Sequence, residues 1–348
     1  MGLDIGTSGV RAAELRVSRT GPVLERFGQV VLPPGAVQDG EVVDPDAVAA
    51  ALRTLWSQAR FGSRRVVVGV ANQKVVVRQV DLPRLPPAEL RASLAFHVQD
   101  VIPMPVEQAL LDFHPLEERT DDTGAPVLRV LLVAAARDMV DGSLRAVTLA
   151  GLTPAVVDLT SFAVLRAHAS GEGGFAAPHA EALVDVGSSV TNIVVHEGGV
   201  PRFVRILLMG GGDVTASVAE RLGVPVDEAE ALKQSAGLMS VPGAYDATPV
   251  QRAIESTGGA FVEEVRGSLD YFMSQSGSGR LTRIVLSGGG SRLLGLTERL
   301  SVATRLPVEL AHPLGLLALG RTGLSPEQLA YAEPVLSVPV GLALGAAA

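Results

Sequence analysis

The feature that most constrains the fold of this chain is a short motif that occurs twice, once in each half. The first copy spans Leu3–Ser8 and the second spans Val184–Ser189. Both copies read apolar residue, Asp, apolar residue, Gly, hydroxyl residue, Ser, and a strand-like segment follows each of them. An internal repeat of this kind indicates a duplicated unit that opens each half of a two-lobed chain.

The physical chemistry of this motif suits an anion. The Gly lets the backbone turn tightly at the tip of a strand, so that successive N–H groups converge, and the hydroxyl groups add donors. Two such turns facing each other would clamp a polyphosphate, with Asp4 and Asp185 holding Mg²⁺ through water molecules. A single turn of this type is more often an ordinary β-turn, and spacing alone does not separate nucleotide binding from a duplicated structural hairpin.

A third Gly-rich turn, Ser287–Ser291, directly follows a strand predicted over Arg283–Leu286. Its three consecutive glycines expose bare backbone, against which a flat base or a ribose can lie. The sequence contains no P-loop, no G-x-S-x-G nucleophile elbow and no H-E-x-x-H zinc motif. Any phosphate binding in this chain is therefore expected at the two repeated turns.

Composition narrows the remaining classes of function. With 348 residues the chain is long enough for about two domains, and its 47% hydrophobic residues exclude a mainly disordered protein. The net charge is −8 and no run of basic residues occurs, which argues against nucleic-acid binding. Because the sequence has no Cys, disulfides, thiolate metal sites and cysteine nucleophiles are excluded.

The sequence also lacks the signals of membrane insertion. Its longest weakly polar stretch, Val335–Ala348, is interrupted by Pro339, Gly341 and Gly345. A spanning helix needs about 20 apolar residues. The first residues lack the basic and apolar regions of a signal peptide, so we expect a cytoplasmic protein.

Gly and Pro separate alternating strand-like and helix-like segments, the pattern of a mixed α/β fold in two lobes. Residues from Pro83 to about Asp158 form a unit of their own, in the order helix, hairpin, helix, strand. The Gly-rich segment Ser170–Pro178 is the best linker candidate. The second half begins at Ala182 with three strands, a helical region and a Ser/Gly-rich loop, Ser274–Gly279.

These motifs resemble those of the actin-like ATPase superfamily. Residues 4–8 are similar to its first phosphate motif, residues 185–189 to its second and residues 288–291 to its adenosine motif. Residues 211–215, which lead to 229–233, resemble the segment whose Glu and Lys approach the ribose and adenine. The resemblance implies an α/β fold of two lobes, each a mixed sheet with flanking helices, with ATP and Mg²⁺ in the cleft between them.

The resemblance also implies a role for each matching residue. The expected phosphate contacts are Gly6, Thr7, Ser8, Arg11, Gly187, Ser188 and Ser189. The expected nucleoside contacts are Gly211, Gly212, Glu230, Lys233, Gly288, Gly289, Gly290 and Ser291. Asp4 and Asp185 are the expected Mg²⁺ residues, acting through water. The superfamily usually has Lys where this chain has Arg11, which keeps the charge but not the compact ammonium group.

Within the superfamily, the inserted unit resembles that of the PilM family, the FtsA-like proteins of type IV pilus assembly. The segments that carry this resemblance are Leu82–Pro86, Glu89–Leu90, Ile102–Glu107, Leu111–Phe113, Val130–Ala135, Met139–Val140, Ala150–Pro154 and Asp158–Ala163. The implied subdomains are IA (1–82), an FtsA/PilM-type inserted subdomain IC (83–157), a return to IA with a linker (158–179), IIA (180–210), IIB (211–279), IIA again (280–322) and a C-terminal helix returning to IA (323–348).

The resemblance further implies a partner, the N-terminal cytoplasmic tail of the inner-membrane protein PilN, held between IA and IC. Such a chain links the PilN/PilO complex to the cytoplasmic motor ATPases and lies at the inner face of the cytoplasmic membrane through these partners. We identify no residue that orients an attacking water, so slow or absent ATP turnover is expected. Two alternatives stay open. One is a small-molecule kinase, with Asp158 as either a catalytic residue or a loop residue capping the next helix; the other is an FtsA-like polymerising cell-division protein.

Overall fold

The computed structural model describes residues 1–19, 21–169, 180–238, 248–275 and 279–346. The predicted linker Ser170–Pro178 and residues 276–278 of the Ser/Gly-rich loop lie outside these ranges. In chain order the strands are β1 (Gly2–Ile5), β2 (Gly9–Ser18), β3 (Gly21–Val31), β4 (Val37–Gln38), β5 (Glu41–Val42), β6 (Arg65–Val70), β7 (Val75–Pro83), β8 (Ala109–Thr120), β9 (Pro126–Ala136), β10 (Thr153–Leu159), β11 (Ala180–Val186), β12 (Thr191–Glu197), β13 (Val200–Leu207), β14 (Leu281–Ser287), β15 (Val308–Leu310) and β16 (Ala318–Leu319). The α-helices are α1 (Pro45–Ala59), α2 (Pro87–Val98), α3 (Arg137–Leu149), α4 (Thr160–Ala169), α5 (Gly211–Leu222), α6 (Val226–Ala236), α7 (Pro249–Ser274), α8 (Leu296–Thr304), α9 (Pro326–Ala332) and α10 (Ser337–Gly345).

The first lobe is built on a six-stranded sheet in the order β10-β6-β1-β2-β3-β16. The short strand β1 lies inside it, antiparallel to β2 and parallel to β6. Helices α1 and α3 cover one face around Leu3, Leu52 and Ala146. Helix α1 begins after Asp44, whose side chain accepts hydrogen bonds from two backbone N–H groups of the first turn.

The second lobe repeats this local arrangement. Its five-stranded sheet has the order β13-β12-β11-β14-β15, and β11 is antiparallel to β12 and parallel to β14. Helix α7 spans 26 residues, and its Phe261, Val265 and Leu269 pack in the core of this lobe. The sequence analysis did not predict α7, since three glycines lower its helix propensity. A readable signal was present in the capping box formed by Thr248 and Gln251.

The inserted unit forms a three-stranded sheet, β7-β9-β8, with α2 packed on it through Leu90, Leu94 and Val98. Strand β7 pairs with β9, so this sheet begins at Val75 and not at the predicted boundary of residue 83. After β9 the chain returns to the first lobe, where α3 packs on α1 and β10 pairs with β6. The predicted order of helix, hairpin, helix and strand is confirmed.

The C-terminal helix α10 closes the first lobe by packing against α4, β1 and β2. The fit depends on two glycines, because a Cβ atom at Gly341 would overlap the carbonyl oxygen of Ala163 and one at Gly2 would overlap that of Pro339. Although α10 is strongly apolar, no helix within the described ranges is both long and apolar enough to cross a membrane.

We predict that Gly341→Ala lowers the free energy of unfolding by about 1–3 kcal/mol, since the added methyl group must push α10 away from α4. Gly267→Ala is the matched control, because Gly267 also lies in a helix and a Cβ atom added there would meet no heavy atom within 4 Å. That control should raise stability by up to about 1 kcal/mol. Urea unfolding measures both; equal effects of the two substitutions would contradict the close packing of α10.

Candidate functional site

The two repeated motifs form matching hairpin turns that face one cavity of about 800 Å³. In the first turn the Gly6 N–H donates to the Gly9 carbonyl at 3.0 Å, and in the second the Gly187 N–H donates to the Val190 carbonyl at 2.9 Å. Each turn joins a central strand to its antiparallel neighbour, β1 to β2 and β11 to β12. The internal repeat read from the sequence is therefore a structural repeat, with one copy in each lobe.

Most of the residues singled out from the sequence meet at this cavity. Those that line it are Asp4, Gly6, Thr7, Ser8, Arg11, Asp185, Gly187, Ser188, Gly211, Gly212, Glu230, Lys233, Gly288, Gly289 and Gly290. Ser189 and Ser291 are not among the lining residues. The buried Ser291 hydroxyl instead donates to the Gly288 carbonyl at 2.7 Å, so this side chain stabilises the Gly-rich turn itself.

The two aspartates end equivalent strands but have different cross-strand neighbours. Asp4 is paired in register with Arg11, whereas Asp185 is paired with the neutral Asn192. The Arg11 Nη1 atom lies 3.3 Å from Asp4 Oδ2, and its Nη2 atom lies 3.5 Å from Ser8 Oγ. Asp185 accepts a hydrogen bond from Ser287 Oγ at 2.8 Å. Asp4 therefore has a positive charge beside it, whereas the cross-strand neighbour of Asp185 is neutral.

Burial makes both carboxylates hard to ionise. Desolvation raises the pKa of Asp4 in spite of the Arg11 guanidinium beside it. For Asp185, burial and the negative charge of Asp4 outweigh the Ser287 hydrogen bond and raise the pKa to about 6. Within the described residues, no cluster of three or more acidic or histidine side chains could hold a metal alone. A cation here would need oxygen ligands from water and from a bound anion.

The first turn of α5 packs directly on the second hairpin turn. The Gly211 N–H donates to the Gly187 carbonyl at 2.9 Å, and the Gly212 N–H donates to the Ser188 carbonyl at 2.8 Å. A Cβ atom at Gly210 would lie 2.5 Å from both of these carbonyl oxygens. The amides of Gly211 and Gly212 are thus engaged within the protein, and these residues shape the wall of the cavity.

The predicted Glu and Lys form a buried ionic network beside α5. Lys233 Nζ lies 2.7 Å from Glu230 Oε2 and donates to the Gly211 carbonyl at 3.0 Å and to Thr215 Oγ1 at 2.8 Å. Burial opposes the ionisation of Glu230, but hydrogen bonds from Lys233, Thr215 and Gln234 prevail and hold its pKa below the usual range. This network fixes a carboxylate at the cavity wall, where it can accept hydrogen bonds from hydroxyl groups.

The Gly-rich turn lies close to Gly211, the residue whose carbonyl Lys233 binds, since a Cβ atom at Gly211 would lie 3.2 Å from the Gly290 Cα. Gly288 has φ 82°, and a side chain there or at Gly290 would overlap Val186 of β11. A Cβ atom at Gly289 would contact only Val335, at 3.7 Å. Two of the three glycines therefore permit close approach to the sheet, and the middle one presents its backbone to the cavity.

A stacked pair at the mouth of the cavity was not predicted from the sequence. The Arg292 guanidinium carbon lies 4.1 Å from the centre of the Tyr331 ring, and both side chains line the cavity next to the Gly-rich turn. Arg292 directly follows the third motif, which was a usable signal. Tyr331 comes from α9, and nothing in its local sequence links it to the motif.

Asp158, the candidate catalytic residue of the kinase alternative, lies outside the cavity. It is part of β10, it pairs with Arg166, and it does not line the cavity. It is thus a strand residue, and the next helix, α4, begins at Thr160. Other polar residues do line the cavity, among them Thr160, Ser143 and Asn192.

Comparison with known proteins agrees with this architecture. The family model for type IV pilus assembly protein PilM matches residues 2–347. A chain in the solved structure of a PilM-PilN type IV pilus biogenesis complex is 29% identical, with a TM-score of 0.85 over 99% of this chain and 97% of that one. The ethanolamine utilization protein EutJ of Carboxydothermus hydrogenoformans shares the fold, with a TM-score of 0.55 and 16% identity over 99% of this chain and 88% of EutJ.

Curated sequences give a more distant match. The cell division protein FtsA of Bacillus subtilis (strain 168) is 24% identical over 68% of this chain and 57% of its own length. The chain spans about half the length of the curated relatives it matches. The predicted actin-like ATPase fold is confirmed by these similarities. Because the family match extends over nearly every residue, the chain belongs to the PilM family of type IV pilus assembly proteins.

Proposed function

We propose that this protein is an ATP-binding adaptor of type IV pilus assembly that holds the N-terminal cytoplasmic tail of PilN. The observation that carries the proposal is the similarity to a chain of the PilM-PilN complex over 99% of the sequence, which includes the inserted three-stranded sheet. Through PilN the protein links the PilN/PilO complex to the cytoplasmic motor ATPases. It lies in the cytoplasm, at the inner face of the membrane, through these partners.

The cavity supports ATP with Mg²⁺ as the ligand. The turns at Gly6–Ser8 and Gly187–Ser188 would hold the phosphates, with Arg11 supplying positive charge. Asp4 and Asp185 fit a hydrated Mg²⁺ because two buried carboxylates of raised pKa favour a cation between them. The Glu230 carboxylate suits ribose hydroxyl groups, and the Arg292–Tyr331 stack offers a planar surface for the base.

The same cavity is poorly equipped for rapid hydrolysis. Among the described residues, the carboxylates that line it are Asp4, Asp185 and Glu230. Glu230 is held by Lys233, and the two aspartates are placed to retain the metal ion. We therefore expect slow turnover or none, because each of these three carboxylates already has another role and we identify no residue that orients an attacking water. The kinase alternative is not favoured either, since Asp158 is bound to Arg166 outside the cavity.

Two strand edges lie where the inserted sheet meets the first lobe. In the part of the chain that the structure describes, β8 pairs only with β9 and β10 pairs only with β6. Leu110 of β8 and Val157 of β10 pack in one apolar cluster with Phe162. Val156, next along β10, is 48% exposed. An extended peptide can hydrogen-bond to such an edge and place alternate side chains against it, so we assign the PilN tail to this boundary.

We predict that Asp185→Asn weakens the binding of Mg-ATP by about 100-fold, since a charge-assisted contact worth about 2–3 kcal/mol is lost. Titration with a fluorescent ATP analogue and Mg²⁺ measures this affinity. Asp158→Asn is the matched control and should leave it unchanged. Unchanged affinity in Asp185→Asn would overturn the assignment of the cavity.

The pH dependence of stability gives an independent check without nucleotide. Because the folded-state pKa of Asp185 is raised to about 6, its ionised form destabilises the fold above that pH. At pH 8 we expect the free energy of unfolding of the Asp185→Asn variant to exceed that of the natural protein by about 2–3 kcal/mol. The difference should shrink as pH falls below 6 and the aspartate becomes neutral. A variant less stable than the natural protein at pH 8 would contradict the raised pKa.

Titration with a labelled peptide of the PilN tail tests the adaptor role. We predict saturable binding that Val156→Glu weakens at least about 10-fold, because a charge is placed on the β10 edge. Leu310→Glu is the matched control, since Leu310 is equally exposed, at 47%, on the edge strand β15 of the other lobe. No binding of the peptide to a protein that still binds ATP would favour the kinase or the polymerising alternative.

A further inference from the structure

Folding gathers arginines at the end of the six-stranded sheet that lies away from the cavity. Residues Ile5 and Val10 lie at the cavity end of the β1–β2 pair. Strand β2 extends beyond Ala13, the partner of Gly2, towards the opposite end of the sheet. The exposed arginines there come from the end of β2, the C-terminal half of α1 and the start of β6. They are Arg19, Arg53, Arg60, Arg64 and Arg65, which we call the basic end.

The basic end is not neutralised by the rest of the protein. In the described ranges, none of its five arginines has a carboxylate oxygen within 4.0 Å, although nearby Arg16 and Arg26 pair with Glu25 and Glu14. The acidic residues of α1, Asp44 and Asp46, lie at the other end of that helix. In a chain of net charge −8, this separation leaves a local excess of positive charge on one surface.

Apolar side chains lie among these cations. Val17 is 63% exposed at the end of β2, and Leu149 is 44% exposed at the end of α3. Arg53 and Arg64 frame this region by donating to the carbonyls of Leu149 and Gly151. The Trp56 and Phe61 rings pack against each other beneath the surface, with centres 5.0 Å apart. Cations interspersed with apolar groups suit the boundary between lipid headgroups and acyl chains better than a purely ionic partner.

We propose that the basic end rests on the anionic phospholipid headgroups of the cytoplasmic membrane. Arginine suits this role because its guanidinium group binds phosphate oxygens bidentately. The choice of a lipid surface rests in part on the proposed function, since holding the tail of a membrane protein keeps this protein close to the bilayer. The contact would orient the first lobe towards the membrane and keep the cavity facing away from it.

Sedimentation of the full-length protein with lipid vesicles tests this proposal. We expect binding to vesicles of phosphatidylcholine mixed with phosphatidylglycerol, weak binding to phosphatidylcholine alone, and loss of binding at high salt. The triple variant Arg19→Gln, Arg60→Gln, Arg65→Gln should reduce binding about 100-fold, because each cation near an anionic membrane contributes about fivefold. These three side chains form no hydrogen bond or ion pair in the described structure whose loss would disturb the fold.

The control variant carries the same charge change in the second lobe, as Arg252→Gln, Arg280→Gln, Arg305→Gln. Arg305 matches Arg60 closely, since both end a helix with a positive φ. The control should bind vesicles as the natural protein does, and equal loss in both triple variants would overturn the proposal. Tighter binding to duplex DNA than to anionic vesicles at the same salt would also overturn it, in favour of a nucleic-acid surface.

The PilN-tail titration separates this proposal from the adaptor role. The basic-end variant should retain full affinity for the peptide. Vesicle binding without peptide binding would refute the adaptor role and leave the lipid contact standing. If the protein binds the peptide but does not bind anionic vesicles, the lipid contact alone is refuted.

Discussion

The burial of two carboxylates at one cavity is the constraint on which the rest of the site depends. Asp4 and Asp185 reach the same cavity from opposite lobes, and the charge of Asp4 helps to raise the pKa of Asp185 to about 6. Arg11 offsets Asp4, whereas the equivalent position in the second lobe is the neutral Asn192. Under the proposed function, a hydrated divalent cation between the lobes would offset the charges of both carboxylates and so favour the binding of Mg-ATP.

The duplication explains both the symmetry of the site and its asymmetry. The two hairpin turns have the same internal hydrogen bond, at 3.0 and 2.9 Å, because the same Gly-containing motif folds in the same sheet context. Within the described ranges, the second turn is covered by helix α5, whose first amides bind its carbonyls. The first turn instead has Arg11 beside it. The two lobes thus present a similar backbone and different charges to the cavity.

The turns and their carboxylates could be predicted from the sequence because their chemistry is local. A strand end, a Gly and two hydroxyl residues determine where the N–H groups point, whatever the rest of the chain does. Tyr331 and Thr215 could not be found in this way, since the contacts of each depend on the packing of an entire helix. The start of the inserted sheet at Val75 could not be predicted for the same reason, because β7 pairs with a strand far away in the sequence and no local signal in Val75–Pro83 specifies that pairing.

The β4–β5 hairpin connects the cavity to the inserted sheet. At its tip, Gly40 has φ 78°; a Cβ atom there would overlap the Ala71 carbonyl and lie 3.5 Å from the Val190 side chain of the second turn. Lys74, just before β7, lies 3.0 Å from Glu41 and 3.2 Å from Asp138. Exposed ion pairs of this kind contribute only about 0.5 kcal/mol, so the close backbone contact at Gly40 is the stiffer connection. The hairpin thus approaches Ala71 through Gly40 and Lys74 through Glu41, and both of these residues lie in the segment that leads into β7.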